Sequence, residues 1–191
     1  MKVQTLKTKA KLYKVMRNKQ KGASLVEMML YAVGALALLA FVMWMRAVGW
    51  PMLQGFMEAQ SAVSSMNKIA AVYNGSATFN GMTTAGVANR QNFADKYLPG
   101  GGVIRNRWGG NITVVPATTT IADDTMRFTE GGVPAGSCPT MVNSMVDDVD
   151  VITVAGTVVK AANAAVNANT LNTQCNSAAT VAIQIDKVKA N

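Results

Sequence analysis

Residues 23–45 read ASLVEMMLYAVGALALLAFVMWM, an apolar run in which Glu27 is the only charged residue. As an α-helix these 23 residues, at ~1.5 Å each, span roughly 34 Å, which is enough to cross the hydrocarbon core of a bilayer. The run therefore predicts one membrane-spanning helix close to the N-terminus.

The charges around this run predict its orientation. Residues 1–22 hold eight of the 18 basic residues and no acid, and Arg46 follows the run directly. Because cationic segments stay on the cytoplasmic side, we expect a cytoplasmic N-terminus and an exported C-terminal part. Beyond residue 22, ten basic residues are balanced by ten acids. This neutral body predicts no direct nucleic-acid partner, since phosphate binding needs a positive folded surface.

Interpretations of the N-terminus differ in the role they give to Glu27. A cleavable secretory signal would have a shorter apolar run, and the Ala35-Leu36-Ala37 that spells its cleavage site lies in the middle of this one. An uncleaved signal anchor fits the length and the charges but leaves Glu27 without a purpose. An unpaired carboxylate near the end of a membrane span costs about 2 to 3 kcal/mol, so Glu27 is a functional-site candidate.

A third interpretation supplies a partner for that carboxylate. The sequence KGASLVE at residues 21–27, placed before an apolar helix, resembles the cleavage motif of type IV prepilins. The resemblance implies that a prepilin peptidase cuts between Gly22 and Ala23, and that Glu27 docks each subunit on the freed N-terminus of a neighbour. A carboxylate and an ammonium at ~4 Å attract by about 4 kcal/mol at an effective dielectric constant of about 20, before desolvation is subtracted.

The helix is predicted to continue beyond the membrane. Apolar residues recur at alternating steps of four and three, which indicates a core face packed against a sheet: Met52, Phe56, Ala59, Val63, Met66, Ala70 and Tyr73. Gly34, Gly49 and Pro51 interrupt the helix, and Pro51 removes one helical hydrogen bond. Since type IV pilins commonly loosen this helix between a glycine and a proline, the resemblance implies flexibility between Gly34 and Pro51.

The exported domain is predicted to contain short β-strands. β-Prone runs occupy residues 103–107, 112–115, 126–129, 151–159 and 179–185. The first two are expected to form a hairpin, and the last is a candidate central strand. Residues 163–176, rich in Asn, Ala and Thr, are interpreted as a surface loop. The only cysteines, Cys138 and Cys175, predict one disulfide in an oxidising compartment.

A second motif resembles one subgroup of the type IV pilins. Asn106-x-Trp108-Gly109-Gly110 resembles a recurring motif in type IVb pilins of the conjugative thin-pilus kind. Its structural interpretation needs no ligand, because the glycines allow a turn and Trp108 can cover the sheet. In type IV pilins a disulfide near the C-terminus encloses a variable, surface-displayed region, so residues 138–175 are expected to be that region.

The predicted fold class is α+β, with a long N-terminal helix whose second half packs on an antiparallel β-sheet. The expected divisions are a cleaved basic leader at residues 1–22, a membrane and assembly half of the helix at 23–46, an amphipathic half at 47–73, and an exported globular domain at 74–191.

The resemblance implies the major structural subunit of a type IVb pilus, polymerised into extracellular filaments for adhesion, aggregation or conjugative mating contact. Its implied partners are further copies of itself, prepilin peptidase, the pilus assembly machinery of the bacterial inner membrane, that membrane before assembly, and a cell-surface receptor. A minor pilin or a type II secretion pseudopilin would share the same N-terminus.

An alternative of another class is a single-span, membrane-anchored exported enzyme or binding domain. The chain has no histidine and no G-x-S-x-G motif, so no enzyme activity and no cofactor are predicted. Asp147-Asp148-x-Asp150 is not followed by the glycine and glutamate of an EF-hand loop, so no metal site is predicted.

Overall fold

The computed structural model describes residues 24–189 and divides the chain into two compact units, one ending at Trp44 and one beginning at Met45. The described part of the first unit is a single helix, α1 (Leu25–Trp44), in which every residue is exposed. By length and composition, one helical stretch among the described residues, Leu25–Val72, could cross a membrane.

The second unit begins with an irregular helical turn. Met45–Gly49 form a π-helical turn, and α2 (Trp50–Val72) follows it. Pro51 lies in the first turn of α2 and has no N–H to donate to the carbonyl of Ala47, which is part of the π turn. A wider turn of this kind is a common way for a helix to accommodate a break in its hydrogen-bond ladder.

The buried face of α2 differs from the predicted stripe. The prediction is wrong at Met52 and Phe56, which are 50% and 43% exposed. The residues that α2 buries are Gly55, Glu58, Ala59, Ala62, Ser65, Met66 and Ile69. This face is rotated toward small side chains because they allow neighbouring backbone to approach closely: a Cβ on Gly55 would stand 2.4 Å from the carbonyl oxygen of Ser137.

A six-stranded antiparallel sheet forms the rest of the core. After a short helix, α3 (Thr84–Val87), and a 3₁₀ turn (Asp95–Tyr97), the elements are β1 (Ile104–Arg105), β2 (Asn111–Ala117), β3 (Thr125–Pro134), α4 (Cys138–Met145), β4 (Val151–Val154), β5 (Thr157–Lys160), α5 (Ala168–Cys175) and β6 (Thr180–Val188). The strand order is β1-β2-β3-β6-β4-β5.

The predicted hairpin and the predicted central strand are both confirmed. β1 pairs with β2 so that Ile104 lies opposite Ile112. β6 lies between β3 and β4 and is antiparallel to both. Its alternate residues Ile183 and Ile185 are fully buried, as a strand with one face on the core requires.

Two predictions for the later part of the domain are wrong. The single strand expected at residues 151–159 is the β4–β5 hairpin, because Ala155 and Gly156 both have positive φ, 48° and 80°, and reverse the chain. The loop expected at 163–176 contains α5, whose start is capped by the Asn167 side chain accepting from the Thr170 N–H at 3.1 Å.

Candidate assembly and packing sites

α1 is an apolar helix whose residues are all exposed. Large side chains along it are mostly exposed, for example Leu30 at 68% and Leu39 at 60%. Exposed apolar area of this extent is unfavourable in water, so the helix requires lipid or other protein around it. α1 can therefore serve as a membrane span, an assembly surface, or each in turn.

Glu27 is the only charged residue of α1. It lies in the first turn and is exposed. The N-terminus of a helix favours a negative charge through the helix dipole, so a carboxylate is compatible with this position. Gly22 and Ala23 lie outside the described residues, and the predicted ion pair between Glu27 and the Ala23 ammonium of another copy stays a prediction.

The three residues predicted to loosen the helix lie in different local settings. Gly34 is in the interior of α1, and among the described residues no atom beyond its own stretch of helix lies within 4 Å of the place where a Cβ would stand. Gly49 ends the π turn, and Pro51 begins α2. Whether the segment from Gly34 to Pro51 loosens in a filament stays a prediction.

The start of the second unit also exposes large apolar side chains. Trp50 is 56% exposed and Leu53 is 47% exposed, in addition to Met52 and Phe56. An isolated exposed apolar residue is ordinary, but here four large ones lie within seven residues of one helix. Their exposure to water is unfavourable unless lipid or protein covers them.

Charged groups are buried where α2 meets the sheet. Glu58 is 1% exposed, and its Oε2 accepts a hydrogen bond from Arg107 Nε at 2.9 Å and another from the Tyr97 hydroxyl at 2.9 Å. These contacts join α2 to the turn after β1 and to the 3₁₀ turn. We call Glu58, Tyr97, Arg107 and Glu130 the junction cluster.

Glu130 of β3 is the second carboxyl of the junction cluster. It is fully buried, and neither of its side-chain oxygens has a hydrogen-bond partner among the described residues. Burial raises its pKa well above the ordinary carboxyl value, and the nearby Glu58 charge raises it further. A cavity with room for about one water molecule, about 10 Å³, lies between Glu130, Glu58, Ser65 and Tyr97.

The Asn106-x-Trp108-Gly109-Gly110 motif is organised by the side chain of Asn106. Its Oδ1 accepts from the N–H of Gly110 at 2.8 Å, and its Nδ2 donates to the Gly131 carbonyl at 2.8 Å. Gly110 admits no side chain, because a Cβ there would stand 1.8 Å from the Gly131 oxygen. Trp108 is half-buried against the core, and its Nε1–H donates to Gln54 Oε1 at 3.2 Å. These contacts agree with the structural interpretation of the motif.

The predicted disulfide is present. Cys138 at the start of α4 is bonded to Cys175 at the end of α5, with 5.6 Å between their Cα atoms. The enclosed segment also contains the β4–β5 hairpin, and the buried Lys160 ammonium of β5 donates to the carbonyl of Val149 at 2.8 Å. Residues 161–165, between β5 and α5, are exposed.

Sequence reasoning missed the junction cluster. The predicted apolar stripe of the helix does not include Glu58, and Arg107 is predicted only as the end of the β-prone run 103–107. The available signal was the 4-3-4-3 spacing of Gly55, Ala59, Ala62, Met66 and Ile69, since Glu58 lies next to the edge of the arc of the helix that these residues define. Across residues 24–189, no three potential ligand side chains come together to hold a metal ion.

Comparison with known proteins agrees with this architecture. The PilS N terminal family model matches residues 57–186, well over half of the chain. The structure is similar to that of a type IV b pilin from Salmonella typhi, with a TM-score of 0.56 and 18% identity over 70% of this chain and 99% of that chain. It is also similar to TcpA, a type IV pilin from Vibrio cholerae El Tor biotype, with a TM-score of 0.50 and 13% identity over 69% of this chain and 99% of that chain. Among curated proteins, none matches the sequence.

Proposed function

We propose that this chain is the major subunit of a type IVb pilus. The premise is that it belongs to the PilS N terminal family and is a type IV pilin, which is a structural subunit and not an enzyme. Pilins self-associate into filaments, and this one is proposed to form extracellular filaments used for adhesion, aggregation or conjugative mating contact.

The observation that carries the proposal is the full exposure of α1 together with its single carboxylate. A helix of this composition has two favourable environments: the bilayer, and the interior of a bundle made of copies of itself. We infer that α1 holds the precursor in the bacterial inner membrane and then packs with α1 helices of other subunits in the pilus.

The transfer from membrane to filament is proposed to depend on cleavage between Gly22 and Ala23. Prepilin peptidase would remove the basic leader, and the pilus assembly machinery would then extract the subunit from the membrane. Cleavage creates an ammonium at Ala23, and Glu27 of an incoming copy would pair with it. In an apolar surrounding each of the two charges needs the other, because an unpaired buried charge costs about 3 to 5 kcal/mol.

The decisive experiment replaces Glu27 while leaving the cleavage site unchanged. Glu27→Gln keeps the shape of the side chain and removes its charge, and Glu27→Asp is the matched control that keeps the charge. We expect both variants to be cleaved, with an intact mass that begins at Ala23. We expect Glu27→Gln to lower the amount of pilin in sheared surface fractions more than tenfold, and Glu27→Asp to lower it much less.

Two outcomes would refute parts of the proposal. Wild-type filament yield from correctly cleaved Glu27→Gln would remove the charge pairing from assembly. A small and fixed number of copies of this chain in each sheared filament would indicate a minor subunit in place of the major one.

A further inference from the structure

The junction cluster contains two buried carboxyls and one cation. Glu58 and Glu130 are 1% and 0% exposed, whereas Arg107 is the one guanidinium beside them, with its side chain 15% exposed. Among the described residues, the titratable groups that face Glu130 are Glu58 from α2, Tyr97 from the 3₁₀ turn and Arg107 from the turn after β1. With both carboxyls ionised, this apolar site would hold one uncompensated negative charge.

Hydrogen bonding decides which of the two carboxyls keeps its charge. Glu58 has two donors, the Arg107 Nε–H and the Tyr97 hydroxyl, each 2.9 Å from Oε2. Glu130 has no donor within hydrogen-bonding distance among the described residues, because the nearby Asn106 amide donates to the Gly131 carbonyl. The residues opposite Glu130 on β2 and β6 are Ile112 and Ile183. Donors stabilise an ionised carboxylate and an apolar surrounding destabilises one, so the proton belongs on Glu130.

We propose that Glu58 and Glu130 form a buried proton-binding site that holds one proton on Glu130 at neutral pH, and that the contact between α2 and the sheet depends on this proton. The proton makes the site neutral, with one carboxylate balanced by one guanidinium. The small cavity between the two side chains has room for about one water molecule, which can accept the hydrogen bond of the protonated carboxyl and pass one on to Glu58.

This site makes the stability of the pilin subunit depend on pH. In the folded protein, burial first and the Glu58 charge second raise the pKa of Glu130, whereas the Asn106 side chain and the Arg107 charge oppose the rise. A group whose pKa is raised by folding stabilises the fold fully below its ordinary pKa, and that stability is lost as pH rises toward the raised value. Raising the pH above the ordinary carboxyl pKa is therefore expected to weaken the attachment of α2 to the sheet progressively.

The chain has only three glutamates, Glu27, Glu58 and Glu130, so the site can be observed directly. The full chain in detergent micelles, labelled with ¹³C at the glutamate carboxyls, should give three carboxyl NMR signals. Glu27→Gln removes the exposed one and leaves the two junction signals. At pH 7 we expect one of these at the position of an ionised carboxylate and the other at that of a protonated acid. Two ionised junction signals at pH 7 would overturn the proposal.

A second measurement connects the proton to stability. We expect the unfolding constant of the wild-type chain in urea to rise with pH above about 4.5, by up to tenfold per pH unit, relative to that of Glu130→Gln. Glu27→Gln removes an exposed carboxyl in the same way and should retain the wild-type pH dependence. Identical pH dependence in the wild type and in Glu130→Gln would overturn the role of Glu130. A loss of pH dependence in Glu27→Gln would assign the effect to Glu27 and would also overturn the role of Glu130.

Discussion

Removal of the Cys138–Cys175 bridge is expected to cause a large loss of stability. The bridge joins residues 37 positions apart, and the chain-entropy relation for a loop of this size gives about 4 kcal/mol at 25 °C. A domain of this size has a net stability of about 5 to 15 kcal/mol, so the loss is a large share of the total. Both cysteines are fully buried, and alanine is the preferred replacement because serine would add a buried hydroxyl to each site.

The assay is urea unfolding of the full chain in detergent, with the double variant Cys138→Ala/Cys175→Ala compared with the wild type. We expect the free energy of unfolding to fall by about 4 kcal/mol, and the reduced wild type to approach the double variant. Asn169→Ala is a matched control in the enclosed segment, since Asn169 is exposed on α5. A difference of less than about 1 kcal/mol between the oxidised wild type and the double variant would refute the loop-closure reasoning.

Two further predictions concern glycines. Gly55→Ala should destabilise the domain by about 1 to 2 kcal/mol, because the added Cβ would stand 2.4 Å from the Ser137 carbonyl oxygen. Gly75→Ala is the control and should leave the stability unchanged, because no neighbouring atom lies within 4 Å of the added Cβ. Equal urea midpoints for the two variants would contradict the close contact at Gly55. Gly22→Arg should leave full-length precursor in the membrane, because a bulky side chain would not fit where the peptidase reads a bare backbone; a mature chain beginning at Ala23 from this variant, seen by intact mass, would contradict the cleavage assignment.

Local sequence signals were enough to predict much of the fold. An apolar run of 23 residues decides α1 by itself. The hairpin across Trp108–Asn111 follows from two β-prone runs flanking glycines, and the two cysteines of the chain allow one pairing. The helix and the hairpin depend on residues that are close in sequence, and the disulfide follows because two cysteines can pair in only one way.

Features that depend on distant residues or on single backbone positions could not be predicted in this way. The β4–β5 turn uses Ala155 with positive φ, a conformation that a composition-based interpretation does not assign to alanine. α5 lies in a segment rich in Asn, Ala and Thr, and the residue that starts it is Asn167 acting as a cap. Its buried residue Leu171 packs in the core, so tertiary contact supplies the stability that its composition does not.

The rotation of the buried face of α2 leaves two residues, Glu58 and Phe56, in surroundings opposite to those that the helix pattern predicts. In an amphipathic helix packed on one core, apolar side chains face the core and charged side chains face water. By that rule Phe56 should be buried and Glu58 exposed. Glu58 is buried because Arg107, 49 residues further along the chain, reaches its carboxylate, and no helix-local pattern contains that information. Phe56 is 43% exposed in the subunit, where leaving such a side chain in water forgoes up to about 2 to 3 kcal/mol. In the proposed filament, another copy would cover the side chain and recover that loss. The helix pattern is therefore consistent with two surroundings at once, the core of the subunit and the proposed interior of the filament.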